Sequence, residues 1–181
     1  MANICSFSMM VRGKHEDIEA FYNAMQQKGN IFMGRGGDAE INYDDDDGAA
    51  FIDGWCKWSV YSSMVANAVD MKSHPEMWYW GNGIDSAKLE FITLFEACKK
   101  WNLDMEVYSE EPGCCFQEHY VVVNGELIDS EVVEYNEYCI DEFENKEDAE
   151  AEFGIIISDE EWNSGECFIS RGGFEDWSFE I

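Results

Sequence analysis

Four consecutive aspartates, Asp44 to Asp47, stand before Gly48 and have the ligand type that calcium prefers. A calcium-binding EF-hand loop with Gly48 at its invariant glycine would need an acid at its first position and a glutamate at its last. Tyr43 and Gly54 occupy those two positions in this chain. The pattern therefore favours a solvated acidic turn over a calcium site.

Cys114, Cys115 and His119 have the residue types of a zinc site or of a nucleophile with its base. Zinc sites usually combine two closely spaced ligand pairs, and the sequence has no second pair of that kind. Residues four apart on a strand are separated by roughly 13 Å, which is too far for a hydrogen bond. With seven scattered cysteines and three dispersed histidines, we expect reduced thiols, no catalytic residues, no bound metal and no cofactor.

The charge of the chain is strongly negative and unevenly distributed. Its 181 residues include 11 Lys and Arg against 39 Asp and Glu, which gives a formal net charge of −28. Residues 101–181 contain 24 of the acids but only two cations, Lys146 and Arg171. Because such a charge repels phosphates and anionic lipids, we expect no direct binding of nucleic acid or membrane, and a basic protein as partner.

The composition is that of a folded protein. Hydrophobic residues make up 46% of the chain and aromatic residues 15%, which is enough material for a packed core. The sequence contains no apolar run of the roughly 18 residues that span a membrane, and its first residues lack the pattern of a signal peptide. We therefore expect a cytoplasmic protein.

The periodicity of the apolar residues indicates how the helices and strands are arranged. It predicts a strand over residues 4–11, followed by an amphipathic helix that Gly29 closes. Residues 33–48 are rich in Gly and Asp and predict a loop. A second helix is expected to begin at Asp85 or Ser86 and to continue through Cys98.

The second half of the chain contains a clear hairpin signal. Asn124-Gly125 lies between two apolar runs and predicts a type I′ turn, in which both central residues have positive φ. An acidic helix is expected within residues 141–152 and an apolar strand over residues 153–157. The order of elements predicts an α+β fold, with a ferredoxin-like antiparallel sheet and helices on one face for residues 1–138. Residues 139–181 are expected to form an acidic C-terminal α/β extension packed on the first domain.

A short motif, F-x-x-R-G-G, occurs at residues 32–37 and again at residues 168–173. Because the two copies are far apart and glycine favours turns, we expect each copy to mark the end of a strand. Arg35 and Arg171 are rare cations in an acidic chain, and we expect them to pair with carboxylates that fix these turns.

Several segments together resemble a family of plasmid- and phage-encoded proteins with a YubB-like ferredoxin-type domain. They are the stretch Trp55-Cys56-Lys57-Trp58, the second helix running into Trp101, and the segment from Glu111-Pro112-Gly113 through Phe116 and Tyr120 to Asn124-Gly125. The likeness covers roughly residues 1–135 and leaves the acidic C-terminal part outside it. It implies a ferredoxin-like fold and an origin in a mobile genetic element, and hence a location in the cytoplasm of a bacterial host cell, but no catalytic residues.

The acidic residues of the C-terminal part are interleaved with apolar ones, so we expect them to be held on a folded surface. Carboxylates four apart on a helix lie about 6 Å from each other along its axis, comparable to the spacing of phosphates along a DNA strand. The sequence therefore predicts a non-catalytic inhibitor that binds the basic nucleic-acid groove of a host defence complex, a CRISPR effector or restriction enzyme, as a DNA mimic. The predicted partner-binding residues are Glu137, Asp141, Glu142, Glu144, Glu147, Asp148, Glu150, Glu152, Asp159, Glu160 and Glu161, with Asp44, Asp45, Asp46 and Asp47 as a second patch.

Two other functions are compatible with the sequence. A ferredoxin-like module that binds a small ligand or a cation on its aromatic-rich sheet would be stabilised against heat by that ligand. A hydrolase that uses clustered carboxylates and a divalent metal would lose its activity to a chelator. The scarcity of cations that could hold a phosphate substrate argues against a nuclease.

Overall fold

An antiparallel sheet of seven strands organises the chain in the computed structural model, which describes residues 3–26, 37–44, 48–66, 69, 73, 91–174 and 177–181. The strands are β1 (Ile4–Arg12), β2 (Asp38–Asp44), β3 (Ala49–Lys57), β4 (Asp104–Glu111), β5 (Phe116–Val123), β6 (Glu126–Cys139) and β7 (Phe168–Gly172). Their order in the sheet is β2-β3-β1-β4-β5-β6-β7, and neighbouring strands pair antiparallel. The α+β class predicted from the sequence is confirmed.

The helices of the described residues are α1 (His15–Met25), α2 (Leu94–Trp101), α3 (Lys146–Phe153) and α4 (Asp159–Asn163), with a π-helical segment at Tyr61–Ala66. The second predicted helix corresponds to α2, which begins at Leu94, because residues 91–93 are not helical. Asp85 and Ser86, the two residues predicted to begin it, lie outside the described residues. The Thr93 side chain accepts a hydrogen bond from the Glu96 backbone N–H, and the Glu96 carboxylate accepts one from the Thr93 N–H. This reciprocal cap sets the start of α2 at Leu94.

Strand β2 lies where the sequence predicted only a loop. Asp38–Asp44 pairs with β3 at the edge of the sheet, and Ala39 is its one buried residue. Because most of its side chains are solvated, β2 has little of the apolar alternation that identifies a strand. Backbone hydrogen bonds to β3 define it instead, and acidic residues suit an exposed edge because they oppose pairing with another chain.

The main core lies between the sheet and helices α1 and α2. Alternate residues of β1, namely Cys5, Phe7, Met9 and Val11, belong to one buried cluster together with Ile18 and Phe21 of α1 and with Leu94 and Cys98 of α2. The Phe21 and Trp101 rings meet edge to face with centres 6.4 Å apart, so the two helices are in contact. Both helices therefore cover the same face of the sheet.

The opposite face of the sheet is covered in part by the last residues of the chain. The Phe174, Trp177 and Phe179 rings each lie with their centres 5.7 Å from the centre of the Tyr108 ring on β4. Tyr108 is consequently buried, although it points away from the helices. These aromatic contacts hold the C-terminal segment on the sheet.

A buried carboxylate holds the same segment through its backbone. Glu106 on β4 is 1% exposed, and one of its oxygens is 2.9 Å from Nε2 of His119 on β5. Its other oxygen accepts hydrogen bonds from the backbone N–H groups of Glu180 and Ile181, at 2.6 and 3.3 Å. A carboxylate can be buried at this position because each oxygen has a donor.

A second, smaller core forms among residues 140–169. It contains Ile140, Ala149, Ile157 and Ile169, with Phe143, Phe153, Ile155 and Trp162 packed around it. The strand predicted over residues 153–157 is wrong: Phe153 ends α3, Gly154 has a positive φ of 68°, and Ile155 to Ile157 form no strand. The Ile157 N–H bonds to the Glu150 side chain, so this short stretch is fixed by side chains and packing.

The predicted hairpin between β5 and β6 is confirmed. Asn124 and Gly125 have φ values of 53° and 74°, as a type I′ turn requires. The turn lies against α2, because a Cβ atom on Gly125 would be 2.8 Å from the Cα of Lys99.

Strand β6 continues to Cys139, so the domain boundary predicted at residue 138 falls inside a strand. That boundary stays a prediction.

Gly125→Ala should destabilise the protein more than Gly165→Ala does. Both glycines have positive φ, 74° and 82°, but no atom lies within 4 Å of a Cβ placed on Gly165. The backbone strain common to both variants costs about 1 kcal/mol, and the contact with Lys99 adds roughly 1–3 kcal/mol for Gly125→Ala. Urea denaturation measures both. Equal losses in the free energy of unfolding for the two variants would show that the turn at Gly125 is not in close contact with α2.

Candidate acidic interface

The predicted partner-binding residues of the C-terminal part lie within one segment of the chain, from Glu137 to Glu161. Glu137 is on β6, and Asp141, Glu142 and Glu144 are in the connection to α3. The remaining seven lie on α3 and α4: Glu147, Asp148, Glu150, Glu152, Asp159, Glu160 and Glu161. All are exposed except Glu150 and Glu161, which are half-buried. We call these eleven residues the acidic surface.

Capping interactions fix the two short helices that hold much of the acidic surface. The Asn145 side chain accepts a hydrogen bond from the Asp148 N–H at the start of α3. The Ser158 hydroxyl and the Glu161 carboxylate form a reciprocal cap at the start of α4. Such caps contribute about 1 kcal/mol each, and the second core beneath them provides packing. The carboxylates are therefore held in a defined arrangement.

Several of these acids also stabilise the helices on which they lie. Glu147 and Asp148 are in the first turn of α3, and Asp159, Glu160 and Glu161 are in the first turn of α4. A negative charge at a helix N-terminus contributes about 0.3–1 kcal/mol. Stabilisation of the helix N-termini thus explains why some of these positions are acidic. It does not explain Glu137, Asp141 or Glu152, which are not in the first turn of a helix.

Arg171 joins α4 to β7. Its guanidinium contacts both oxygens of Glu161, at 2.7 and 3.1 Å, and also donates to the Ile156 carbonyl. Gly172 and Gly173 follow with φ values of 91° and 81°. The second F-x-x-R-G-G copy thus ends a strand and pairs its arginine, as predicted. The first copy lies outside the described residues, except for Gly37.

Most of the acidic surface has no cation beside it. Within the described residues, Lys146 pairs with Asp159 and Arg171 pairs with Glu161. No described cation is paired with Glu137, Glu142, Glu144, Glu147, Glu152 or Glu160. Because these charges are uncompensated, the surface has a strongly negative potential, which attracts basic partners and repels acidic ones.

The second predicted patch is far from the acidic surface. Asp44 ends β2, whereas Glu137 is on β6, and these strands are separated by β3, β1, β4 and β5. At about 4.8 Å per strand, this separation is roughly 24 Å along the sheet. The structure therefore does not bring Asp44 and the acidic surface together. Asp45, Asp46 and Asp47 lie outside the described residues.

Sequence reasoning missed further acids on β6. Glu126, Asp129, Glu131 and Glu134 are all exposed and extend the negative charge along the strand. Asp129 and Glu131 pair with Val121 and His119, on the face away from the helices. The run of acids among β-branched residues is the signal that could have identified them.

The group formed by Cys114, Cys115 and His119 is not an assembled site. The two cysteines are in the turn between β4 and β5, not on a strand as the sequence reasoning assumed. A hydrogen bond with the Glu111 carboxylate raises the pKa of Cys114, which makes its thiol a poorer nucleophile. His119 is bonded to Glu106, on the face of the sheet opposite the helices. All seven cysteines are free.

Glu161→Gln should remove part of the pH dependence of stability. The hydrogen bond from Arg171, followed by those from Ser158, lowers the pKa of Glu161 from its ordinary value of 4.5 to about 2. Because the folded pKa lies below the unfolded one, the stabilisation is complete above pH 4.5 and is lost as the pH falls toward 2.

Melting temperatures measured across that range check this. The difference between the parent protein and Glu161→Gln should be largest above pH 4.5 and vanish near pH 2. Glu137→Gln removes an exposed charge on β6 that has no described cation beside it and lies at no helix N-terminus, so it should show a much smaller trend. Identical pH profiles for the two variants would contradict the assigned role of the Arg171 pair.

No group of three or more His, Cys, Asp or Glu side chains that could hold a metal ion is found in the described part of the chain. No helix in that part is both long and apolar enough to cross a membrane.

The chain matches no protein-family model, no curated protein and no solved structure.

Proposed function

We propose that this protein is a non-catalytic inhibitor that occupies the basic nucleic-acid groove of another protein. The observation that carries the proposal is the acidic surface, in which mostly exposed carboxylates, the majority with no described cation paired with them, lie on and beside two capped helices over a packed core. The partner would be a host defence complex that handles nucleic acid, such as a CRISPR effector or a restriction enzyme. No bond is made or broken in this mechanism.

The strand order supports a ferredoxin-like assignment for residues 1–138. The order β2-β3-β1-β4, with α1 between β1 and β2 and α2 before β4, is that of a split β-α-β fold. The second core supports treating residues 139–181 as an acidic extension of that unit. We further propose a mobile-element origin, on the resemblance to YubB-like proteins noted above.

Inhibition would follow from charge and shape. DNA releases its condensed cations when the Lys and Arg of a basic groove neutralise its phosphates, and an acidic surface neutralised by the same residues would release its own associated cations. Because the capped helices that bear these carboxylates are already folded, no backbone ordering of α3 and α4 is needed on binding. The helix spacing, about 6 Å for residues four apart, allows Asp148 and Glu152 to meet successive phosphate sites.

Affinity capture with DNA competition tests the proposal. The tagged protein is incubated with bacterial lysate at about 50 mM and about 500 mM salt, because electrostatic binding weakens steeply over that range. We expect a basic nucleic-acid-binding protein that is retained at low salt, is lost at high salt and is displaced by its own duplex DNA. Retention that neither salt nor DNA reduces would contradict the proposal.

Charge-matched variants locate the interface. Glu147→Gln with Glu152→Gln removes two charges from α3, and Glu16→Gln with Glu19→Gln removes two exposed charges from α1. We expect the α3 pair to weaken binding of the captured protein by about tenfold or more, and the α1 pair by less than about threefold. Equal effects would mean that only net charge matters and would contradict a specific acidic surface.

A further inference from the structure

A cleft lies on the helix-covered face of the sheet, and none of its described lining residues belongs to the acidic surface. It has a volume of about 640 Å³, and its floor is formed by alternate residues of β5 and β6. One wall comes from Tyr61 in the π-helical segment and Phe95 on α2. Ligand pockets typically measure about 300–1,000 Å³, so the cleft can hold a small organic molecule.

A buried carboxylate forms part of this cleft. Glu118 on β5 is 3% exposed and lies on the same strand face as Phe116 and Tyr120. Its oxygens accept hydrogen bonds from the Val60 N–H, the Ser109 hydroxyl and the Tyr120 hydroxyl, at 2.8 to 2.9 Å. These three donors fix the carboxylate, which has about four acceptor positions.

The buried carboxylate has no cation among its described partners. All three donors to Glu118 are uncharged groups. Burial first, and then the neighbouring Glu118 charge, raises the pKa of Tyr120, so this phenol stays neutral and keeps donating. Among the described residues, the lining of the cleft contains Glu134 as a second carboxylate and no Lys, Arg or His. No described cation therefore balances the charge of the site, and a cationic ligand could do so.

Aromatic rings make up much of the remaining lining. Phe95 and Tyr120 lie with their ring centres 5.7 Å apart, and Tyr61 and Phe116 also face the cleft. The face of an aromatic ring attracts a cation, and this attraction grows when water is excluded. Leu127 and Val132 on β6 are exposed at 45% and 59% and offer an apolar surface beside the rings.

We propose that this cleft binds an organic cation, a primary or quaternary ammonium attached to an apolar or aromatic group. The ammonium would lie between Glu118 and the aromatic rings, and the apolar group would lie along Leu127 and Val132. Aromatic and apolar lining disfavours a bare metal ion, which needs several oxygen ligands. The site does not involve the acidic surface, so this proposal stands or falls independently of the function proposed above.

Matched small molecules test the proposal directly. Phenylbutylamine is a cation at neutral pH, whereas phenylbutanol has a similar shape and no charge. Methyl NMR at about 150 mM salt, a concentration that screens long-range attraction, follows Leu127 and Val132 during titration. We expect the amine to shift both methyl groups and to bind at least about tenfold more tightly than the alcohol.

Variants separate a specific site from the large net charge. Glu118→Gln and Glu152→Gln each remove one negative charge, but only the first removes it from the cleft. We expect amine binding to weaken by about tenfold in Glu118→Gln and to stay within about twofold in Glu152→Gln. Equal weakening in both, equal affinity for amine and alcohol, or no shift with the amine at millimolar concentration would overturn the proposal.

A second pair of variants is available if Glu118→Gln does not fold. Val132 is 59% exposed on β6, so polar substitutions there are compatible with folding. Val132→Lys places a cation in the cleft and should abolish amine binding, whereas Val132→Gln should weaken it by less than about threefold. Equal binding to these two variants would also overturn the proposal.

Discussion

One long strand joins the two cores of the molecule, and the arrangement of the acidic surface depends on it. Strand β6 pairs with β5 as far as Glu134 and with β7 from Tyr135 onward. The Tyr135 N–H still bonds to the Cys115 carbonyl, and Tyr135 is 4% exposed at the point where the partner changes. A Cβ on Gly172, where φ is 91°, would be 3.1 Å from the Glu134 carbonyl oxygen. Close backbone packing at this junction therefore fixes the acidic helices relative to the sheet.

Three groups of carboxylates among the described residues have different environments. Most of those of the acidic surface are solvated and have no described cation paired with them, so they act through the field they generate. Glu106 is buried and binds the backbone of the C-terminal segment, which makes it a structural group. Glu118 is buried in a cleft with uncharged donors, which makes it a candidate ligand group. The same residue type thus serves stability or recognition according to burial and partners.

The sequence was sufficient where local chemistry decides structure. The alternation in β1, the amphipathic pattern of α1 and the Asn124-Gly125 turn were each predicted, and each is confirmed. Helix α1 ends at Met25, before the predicted closing residue Gly29, which lies outside the described residues. Strand β2 was missed because it is a polar edge that only pairing with β3 defines. The partners of Glu106 and Glu118 could not be predicted either, because contacts such as that between Glu106 and Ile181 join residues far apart in the chain. The resemblance to YubB-like proteins and the mimic function stay proposals.

The salt dependence of affinity tests the central claim, that the acidic surface takes the place of nucleic acid, most directly. The dissociation constant of the captured partner would be measured against this protein and against that partner's own DNA over the same range of salt. For DNA, the logarithm of affinity falls linearly with the logarithm of salt, with a slope set by the phosphates contacted. We expect a steep slope of the same sign for this protein, and mutually exclusive binding of this protein and the DNA. A flat slope, or a ternary complex with the DNA, would contradict it.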